Sequence, residues 1–565
     1  MRAAARAGLA GAAVLWLLLG LRWFDVAEQW RPAWLEHVPA AALALATVAL
    51  GGWWLRARRR APAGPSLAAP PGGLLLAAGL AVVFRLPLAW QGAAAYVTPD
   101  GALSGIVALH LRGATERLVF VPQVPYSGSL KSHLTAPLAA VVDPARAFAL
   151  VSVAFYAVFV AALYRLALVA GASAWSAIAA ALYAAFAPAF VTRYSLSNDG
   201  NYVEVLALGT WALVLAARWR REGRPAGAPA LAIGVLLGLA FWCHVLAVIH
   251  IVAVALWALL AAPRAAIRAG PAAALGFVLG DWPALLWNGA NGWESFRYLV
   301  PGRAVAGGSG PGLLARAAAM LTGQAPVLLG YDPGYPPPID LALKVLAFLA
   351  VALAVVATLA AARIAGRRRS AELGLLLLFT AVNVIVAWLA LPQIAGNPRY
   401  LQFLMASLPV FLAMALDAPG RRWIMVVLVA FGAAGSLAQF PGAARSDAQW
   451  RRFVADLEAE GVRWCETDFH LATKLNFLSQ ERLVCSAKLG PITTEYFFDY
   501  RRQVDAAPEA ALVAVNPTAA EKLERRLERL GVSYERRDFM KPVLLHLSRK
   551  VDPEELFPGR EFPLR

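Results

Sequence analysis

Acidic charge, cysteine and histidine are all scarce in this sequence. Only 35 of its 565 residues are Asp or Glu, against 52 Lys and Arg, and charged residues make up just 15% of the chain. A soluble globular domain carries about 25% charge, so a water-soluble enzyme is excluded. Three cysteines, Cys243, Cys465 and Cys485, are too few for a disulfide scaffold. The seven histidines show no metal-ligand spacing, so zinc is not indicated. No internal repeat stands out, which counts against the inverted-repeat transporter folds.

What is present in excess is apolar surface. Hydrophobic residues make up 60% of the chain and the mean hydropathy is +0.58, the composition of a polytopic membrane protein. The net charge of +17 does not imply nucleic acid. The arginines fall in short clusters between apolar runs, such as "RARRR" (56–60), "RWRREGR" (218–224), "GRRRS" (366–370) and "PGRR" (419–422). That is the pattern of cytoplasmic loops under the positive-inside rule.

Apolar runs of roughly 17–25 residues, long enough to cross the hydrocarbon core, lie near 8–22, 35–55, 73–90, 146–169, 174–191, 202–217, 228–243, 245–262, 271–287, 341–362, 371–391, 401–417 and 423–440. They predict an α-helical bundle of about thirteen spans. The run 8–22 is read as a span and not as a cleaved leader, because "WFDVAEQW" after it offers no small-residue cleavage site. With a cytoplasmic N-terminus every arginine cluster falls inside, and the segments 91–145, 192–201, 288–340 and 392–400 fall outside. In the first of these, "GALSGIVALHLRG" predicts a short amphipathic helix at the interface. The second long one, 288–340, is rich in Gly and Pro and predicts an irregular loop.

From about 441 the long apolar runs stop. "RWCETD" and "RLVCSA" read as strands with the helix "HLATKLNFLS" between them, and "AALVAVN" followed by "PTAAEKLERRLERLG" reads as strand then helix. This predicts a small α/β domain over 441–565, outside the membrane. Cys465 and Cys485 fall on two neighbouring strands. Two buried free thiols are the expectation there, with a disulfide as the alternative.

Ionisable groups are costly near membrane spans, and here they gather at the outside ends. Asp100 follows the third run. Tyr126, Ser129, Lys131 and His133 precede the fourth, while Arg193, Asn198, Asp199 and Glu204 lie between the fifth and sixth. Asp281, Asn288, Asn291 and Glu294 end the ninth, and Arg399 and Tyr400 begin the twelfth. Converging, they would form an outer-leaflet cavity suited to a substrate with an anionic head and a lipid tail. The fitting chemistry is group transfer from a lipid phosphate: a carboxylate takes the proton of an incoming hydroxyl, and a cation steadies the departing phosphate.

These residues resemble a family. "FRLPLAW" with "TPDGALSGIVALHLRG" (84–113), "YSGSLKSHLTAPL" (126–138), "DGNYVEVLALGTWALVLAAR" (199–218), "PALLWNGANGWESFRYL" (283–299), "NPRYLQFLMASLPVFLAMAL" (397–416) and "LATKLNFLSQERLV" (471–484) resemble, in order, stretches of the GT-C glycosyltransferases. The likeness is to the bacterial branch related to protein O-mannosyltransferases and lipid A aminoarabinose transferases. It covers roughly 73–565 and divides the chain into an added two-span hairpin (1–60), a transmembrane catalytic core (73–440) and the α/β domain.

The resemblance implies an inverting sugar transfer from a polyprenyl-phosphate donor to a lipid, glycan or protein acceptor. It would occur at the outer face of a bacterial cytoplasmic membrane, with no cofactor required. Asp100 would be the general base. Arg399 and Tyr400 would contact the donor phosphate, and Lys131, His133, Asp199, Glu204 and Asn288 would line the site. Many members carry two adjacent acids in the first outside loop; here the second position is Gly101, which leaves a metal role for that loop unsupported.

Each residue also has a plainer reading. Asp100 would cap the helix that begins near Ala102. Arg399 would anchor at the interface beside Tyr400, and Glu204 would pair with Arg85 or Arg193. Two other functions compete: a flippase of lipid-linked sugars, disfavoured because the acids cluster at one face, and a non-catalytic relative serving as an assembly module.

Overall fold

The computed structural model describes residues 71–113, 118–197, 199–222, 227–297, 312–332, 337–390, 398–490 and 495–558. The predicted runs 8–22 and 35–55, and with them the hairpin 1–60, lie outside the described residues. The helices of the bundle are α1 (Pro71–Gln91), α2 (Pro99–Arg112), α3 (Leu130–Leu138), α4 (Pro144–Val169), α5 (Ala174–Ala185), α6 (Tyr202–Glu222), α7 (Gly227–Cys243), α8 (Val248–Ala261), α9 (Pro263–Ala290), α10 (Pro337–Arg368), α11 (Ala371–Ala390), α12 (Leu408–Ala415) and α13 (Arg422–Ala459). A two-stranded hairpin, β1 (Phe120–Val121) and β2 (Val124–Gly128), precedes α3.

Seven of these helices, α1, α4, α6, α9, α10, α11 and α13, are long and apolar enough to cross a membrane. Of the thirteen predicted runs, the eleven that fall among the described residues give seven helices of this length. The runs 228–243 and 245–262 form apolar helices below that length, and two further runs break. The run 174–191 stops at Ala185 because Pro188, which has no N–H and restricts the residue before it, follows at once. The run 401–417 splits at Ser407 into a 3-10 turn, Gln402–Ala406, and α12, whose first turn holds Pro409. Thr380 and Ser407 share a 2.7 Å hydroxyl hydrogen bond at that break.

Helices α7 and α9 approach each other almost backbone to backbone. A methyl group at Gly234 would strike the carbonyl of Ala273, one at Gly238 that of Phe277, one at Gly276 that of Leu231 and one at Gly280 that of Val235. Two glycines four apart on each helix make this contact possible, as in close-packed membrane helices.

The last long helix, α13, has 38 residues and is about 57 Å long at 1.5 Å per residue. A bilayer core is about 30 Å thick, so the helix extends well past it and through position 441, where the composition changes. Its far end, Trp450, Phe453, Val454 and Leu457, joins the core of the C-terminal sheet. That sheet has five strands, β3 (Trp464–Glu466), β4 (Val484–Ser486), β5 (Ala511–Val513), β6 (Glu535–Asp538) and β7 (Pro542–Leu545), in the order β4-β3-β5-β7-β6. The first three are mutually parallel and the last two antiparallel. Helix α14 (Phe469–Leu478), started by the Asp468 side chain accepting from the Leu471 amide, returns the chain from β3 to β4.

Cys465 and Cys485 lie directly opposite each other on β3 and β4 and form a disulfide, which corrects the expectation of free thiols. Beside it a group of charges is buried. Glu466 (2% exposed) faces Lys488 at 3.7 Å, Lys488 also pairs with Asp505, and Glu495 accepts from the Ser486 hydroxyl and the Ala487 amide. Burial pushes the Glu466 carboxyl up to about 8, with Lys488 offsetting only part of the effect.

Two outcomes follow for this domain. The bridge closes a loop of sequence separation 20, so reducing it is expected to lower stability by about 3 kcal/mol on the chain-entropy account, read as a drop in melting temperature with reductant. A carboxyl raised in the folded state binds its proton more tightly there than in the unfolded chain. Its contribution is present below the unfolded value near 4.5 and is lost as pH rises through about 8. Glu466→Gln is therefore expected to flatten the decline in melting temperature between those pH values; an unchanged pH profile would overturn this.

Candidate active site

The hairpin β1–β2 gathers the ends of several bundle helices. Asn201, in the turn Asp199–Asn201 before α6, donates from its amide to the Ser127 hydroxyl (3.1 Å), the Gly128 carbonyl (2.7 Å) and the Cys243 carbonyl at the end of α7 (3.0 Å). Ser127 also bridges to His244 through the backbone. At the end of α9, Asn288 donates to the Ala284 carbonyl (2.8 Å) and accepts from the Ser295 amide (3.0 Å), while the Ser295 hydroxyl donates to the Pro125 carbonyl. Asn288 is thus occupied in folding the turn that docks on the hairpin.

Asp100 lies in the first turn of α2, but it does not cap that helix. Thr98 does, its hydroxyl accepting from the Gly101 amide at 3.0 Å with Pro99 at the first helical position. The capping reading of Asp100 is corrected accordingly. Asp100 is exposed at the head of a helix whose next nine residues, Gly101–Leu109, are all buried. The expected interfacial helix is therefore a packed one: Ser132 on α3 donates to the Ser104 carbonyl (2.8 Å), and Phe477 of α14 lies so close to Gly105 that any side chain there would collide with its ring.

Lys131 and Glu204 meet in the interior. Their ion pair measures 3.0 Å, with the side chains 1% and 0% exposed. The expected pairing of Glu204 with Arg85 or Arg193 is corrected. Arg85 instead donates to the Ser195 hydroxyl (2.5 Å) and the Ala185 carbonyl (2.6 Å) and stacks 3.9 Å over the Tyr156 ring. Arg193 lies over Phe190. Lys131 also donates to the Ser197 carbonyl at 3.5 Å and lies 5.3 Å from the Phe148 ring centre. Phe148 and Ser197 line a small crevice of about 10 Å³ together with Tyr96, Gly101 and Phe477, and Lys131 lies directly behind these two residues.

From Glu204 the site continues through aromatic rings. Tyr202, two residues earlier on α6, contacts Tyr194 (6.2 Å), His244 (5.1 Å) and Tyr400 (6.0 Å), and Tyr126 contacts His244 from the hairpin (5.5 Å). Arg399 and Tyr400 form the turn Pro398–Tyr400, with the guanidinium 5.0 Å over the ring and within electrostatic reach of His244. Asn383 on α11 holds the Tyr400 carbonyl at 2.9 Å. His133 is half-buried on α3. The Asp199 side chain lies outside the described residues. Among the described residues, no group of three or more His, Cys, Asp or Glu side chains is placed to hold a metal ion.

The structure thus brings Asp100, Lys131, Glu204, Arg399 and Tyr400 to one end of the bundle. It adds Asn201, Tyr202 and His244, which sequence reasoning passed over. Asn201 carried a signal in the sequence, an Asn directly after Gly200 in the turn-favouring stretch "SNDGN", and its φ is indeed positive at 54°; His244 carried none. Removing one member of a buried pair strands the other charge at a cost of about 3–5 kcal/mol. Glu204→Gln is expected to lose that much stability, and Lys131→Met added to it should recover most of the loss. Additive losses in denaturation midpoints would show that the pair is uncoupled.

No family model matches the chain, and no curated protein matches it in sequence. Solved structures do. ArnT, the aminoarabinose transferase of Cupriavidus metallidurans, bound to undecaprenyl phosphate, superposes with a TM-score of 0.55 at 10% identity, covering 84% of this chain and 98% of that one. Its apo form gives 0.54 at 11% identity, with the same coverage. The oligosaccharyltransferase AglB of Archaeoglobus fulgidus, in complex with an inhibitory peptide and a dolichol-phosphate, gives 0.47 at 13% identity, covering 78% and 69%. The described chain therefore shares its fold with ArnT over nearly the whole length of that protein.

Proposed function

We propose that the chain is a membrane glycosyltransferase that moves a sugar from a polyprenyl-phosphate donor to a lipid, glycan or protein hydroxyl at the outer face of a bacterial cytoplasmic membrane. The observation that carries the reading is the exposed Asp100 at the head of the buried α2, at the end of the bundle that also holds the buried Lys131–Glu204 pair and Arg399. The fold shared with an undecaprenyl-phosphate-binding transferase supports it.

In this reading Asp100 takes the proton of the acceptor hydroxyl as its oxygen attacks the anomeric carbon from the face opposite the phosphate. The bond between that carbon and the phosphate oxygen breaks, and the phosphate leaves with the bonding electrons. The anomeric centre is inverted. Arg399 supplies positive charge to the leaving phosphate, since a guanidinium binds phosphate oxygens in pairs. Tyr400 and Tyr202 hold the apolar side of the donor head. The Lys131–Glu204 pair holds the starts of α3 and α6 together, and His133 and Asp199 lie at the margin of the site.

The test is to incubate membranes carrying the protein with a panel of polyprenyl-phosphate sugars and measure released polyprenyl phosphate. Asp100→Asn is expected to lower turnover at least about a hundredfold, the usual worth of a positioned base, with insertion unchanged. Full activity of a normally inserted Asp100→Asn protein would sink the reading.

A further inference from the structure

The segment that delivers Asp100 is held from a point more than 300 residues away in the chain. Asp447 on α13 is 5% exposed. One of its carboxylate oxygens accepts the Ala94 amide at 2.6 Å, and the other accepts from Arg451 Nε at 2.7 Å. Arg451 then makes a two-pronged contact with Asp143, at 3.0 and 3.1 Å. Asp143 is itself the N-cap of α4, accepting from the Arg146 amide. Arg146 closes the ring by donating to the Trp90 carbonyl at 3.0 Å, with its guanidinium over the Trp90 indole. The ring therefore encloses residues 90–94, just upstream of Asp100. Gly92 lies in it against Ala443, where an added side chain would meet Ala443, Tyr96 and the Leu88 carbonyl.

The same turn of α13 also reaches the other side of Asp100. Trp450, between Asp447 and Arg451, lies 4.1 Å under the Lys474 ammonium. Lys474 is on α14, the helix whose Phe477 abuts Gly105 five residues after Asp100. One turn of one helix thus fixes the chain before Asp100 by hydrogen bonds and the chain after it by packing.

The geometry points to Asp447 as a positioning residue: through the Ala94 amide and Arg451 it sets where Asp100 stands, so that α13 and the C-terminal domain are part of the catalytic apparatus. This rests on the reading of Asp100 as the base. A buried carboxylate that accepts from both a guanidinium and a backbone amide is a strong, directional tether, and a displacement of about 1 Å of a reacting group lowers rates about a hundredfold.

Two measurements test it in the full-length protein. The first is hydrogen exchange of peptides covering 92–106. Asp447→Ala is expected to speed their exchange at least tenfold while peptides from α7 and α9 stay unchanged. Unaltered exchange in 92–106, or a uniform increase everywhere, overturns the inference. The second is turnover with the polyprenyl-phosphate sugar that the wild type consumes. Asp447→Ala is expected to lose tenfold or more in kcat with KM changed less than threefold. Asp447→Asn, whose amide oxygen still accepts from Ala94, is expected to recover part of the loss. Full kcat in Asp447→Ala, while Asp100→Asn is inactive, overturns the inference alone. Full activity in Asp100→Asn overturns the base assignment instead, and the exchange result then still decides whether Asp447 holds the segment.

Discussion

A charge placed in the interior of an apolar bundle must bring its counter-charge with it, and the pairing of Lys131 with Glu204 answers that requirement. Each ion alone would cost several kcal/mol to bury. Together they fix the start of α3 against the start of α6, and the remaining contacts of that end follow. Lys131 reaches Ser197 and Phe148, Tyr202 orders the rings around His244, and Asn201 ties the hairpin to α7. Because the attraction is strong at short range in a medium of low polarity, the pair holds the starts of α3 and α6 together.

Much of this was legible in the sequence because membrane spans impose a pattern that local reading detects. Lengths of apolar run, the arginine clusters and the gathering of polar residues at certain span ends all come from short windows. The cap of α2 was not settled by local reading: Asp100 is as favoured a cap residue as Thr98, and the structure gives the role to Thr98, with Pro99 directly after it. Partner choice was not legible. Which cation meets Glu204 depends on how α3 sits against α6, and no window of sequence contains both. The bond between Cys465 and Cys485 is of the same kind, since it depends on β3 and β4 being neighbours in parallel register. The contact between Ala94 and Asp447 spans 353 positions.

The boundary between membrane bundle and C-terminal domain is a change of composition without a break in structure. α13 crosses it as one helix, and α2 belongs to the same buried cluster as the sheet, with Ala102, Leu103, Ile106 and Val107 packed among Phe453, Leu475 and Phe477. A hydrophobic core shared in this way couples the two parts more tightly than a linker would, because neither can bury its apolar surface without the other.

The glycine-lined seam between α7 and α9 has a mechanical consequence. Helices with side chains between them can slide by repacking those side chains, whereas helices in contact through their backbones have nothing soft between them to rearrange. The two therefore move as one stiff beam. On the proposed reading, a bundle that takes up a lipid-linked donor opens elsewhere than along this seam.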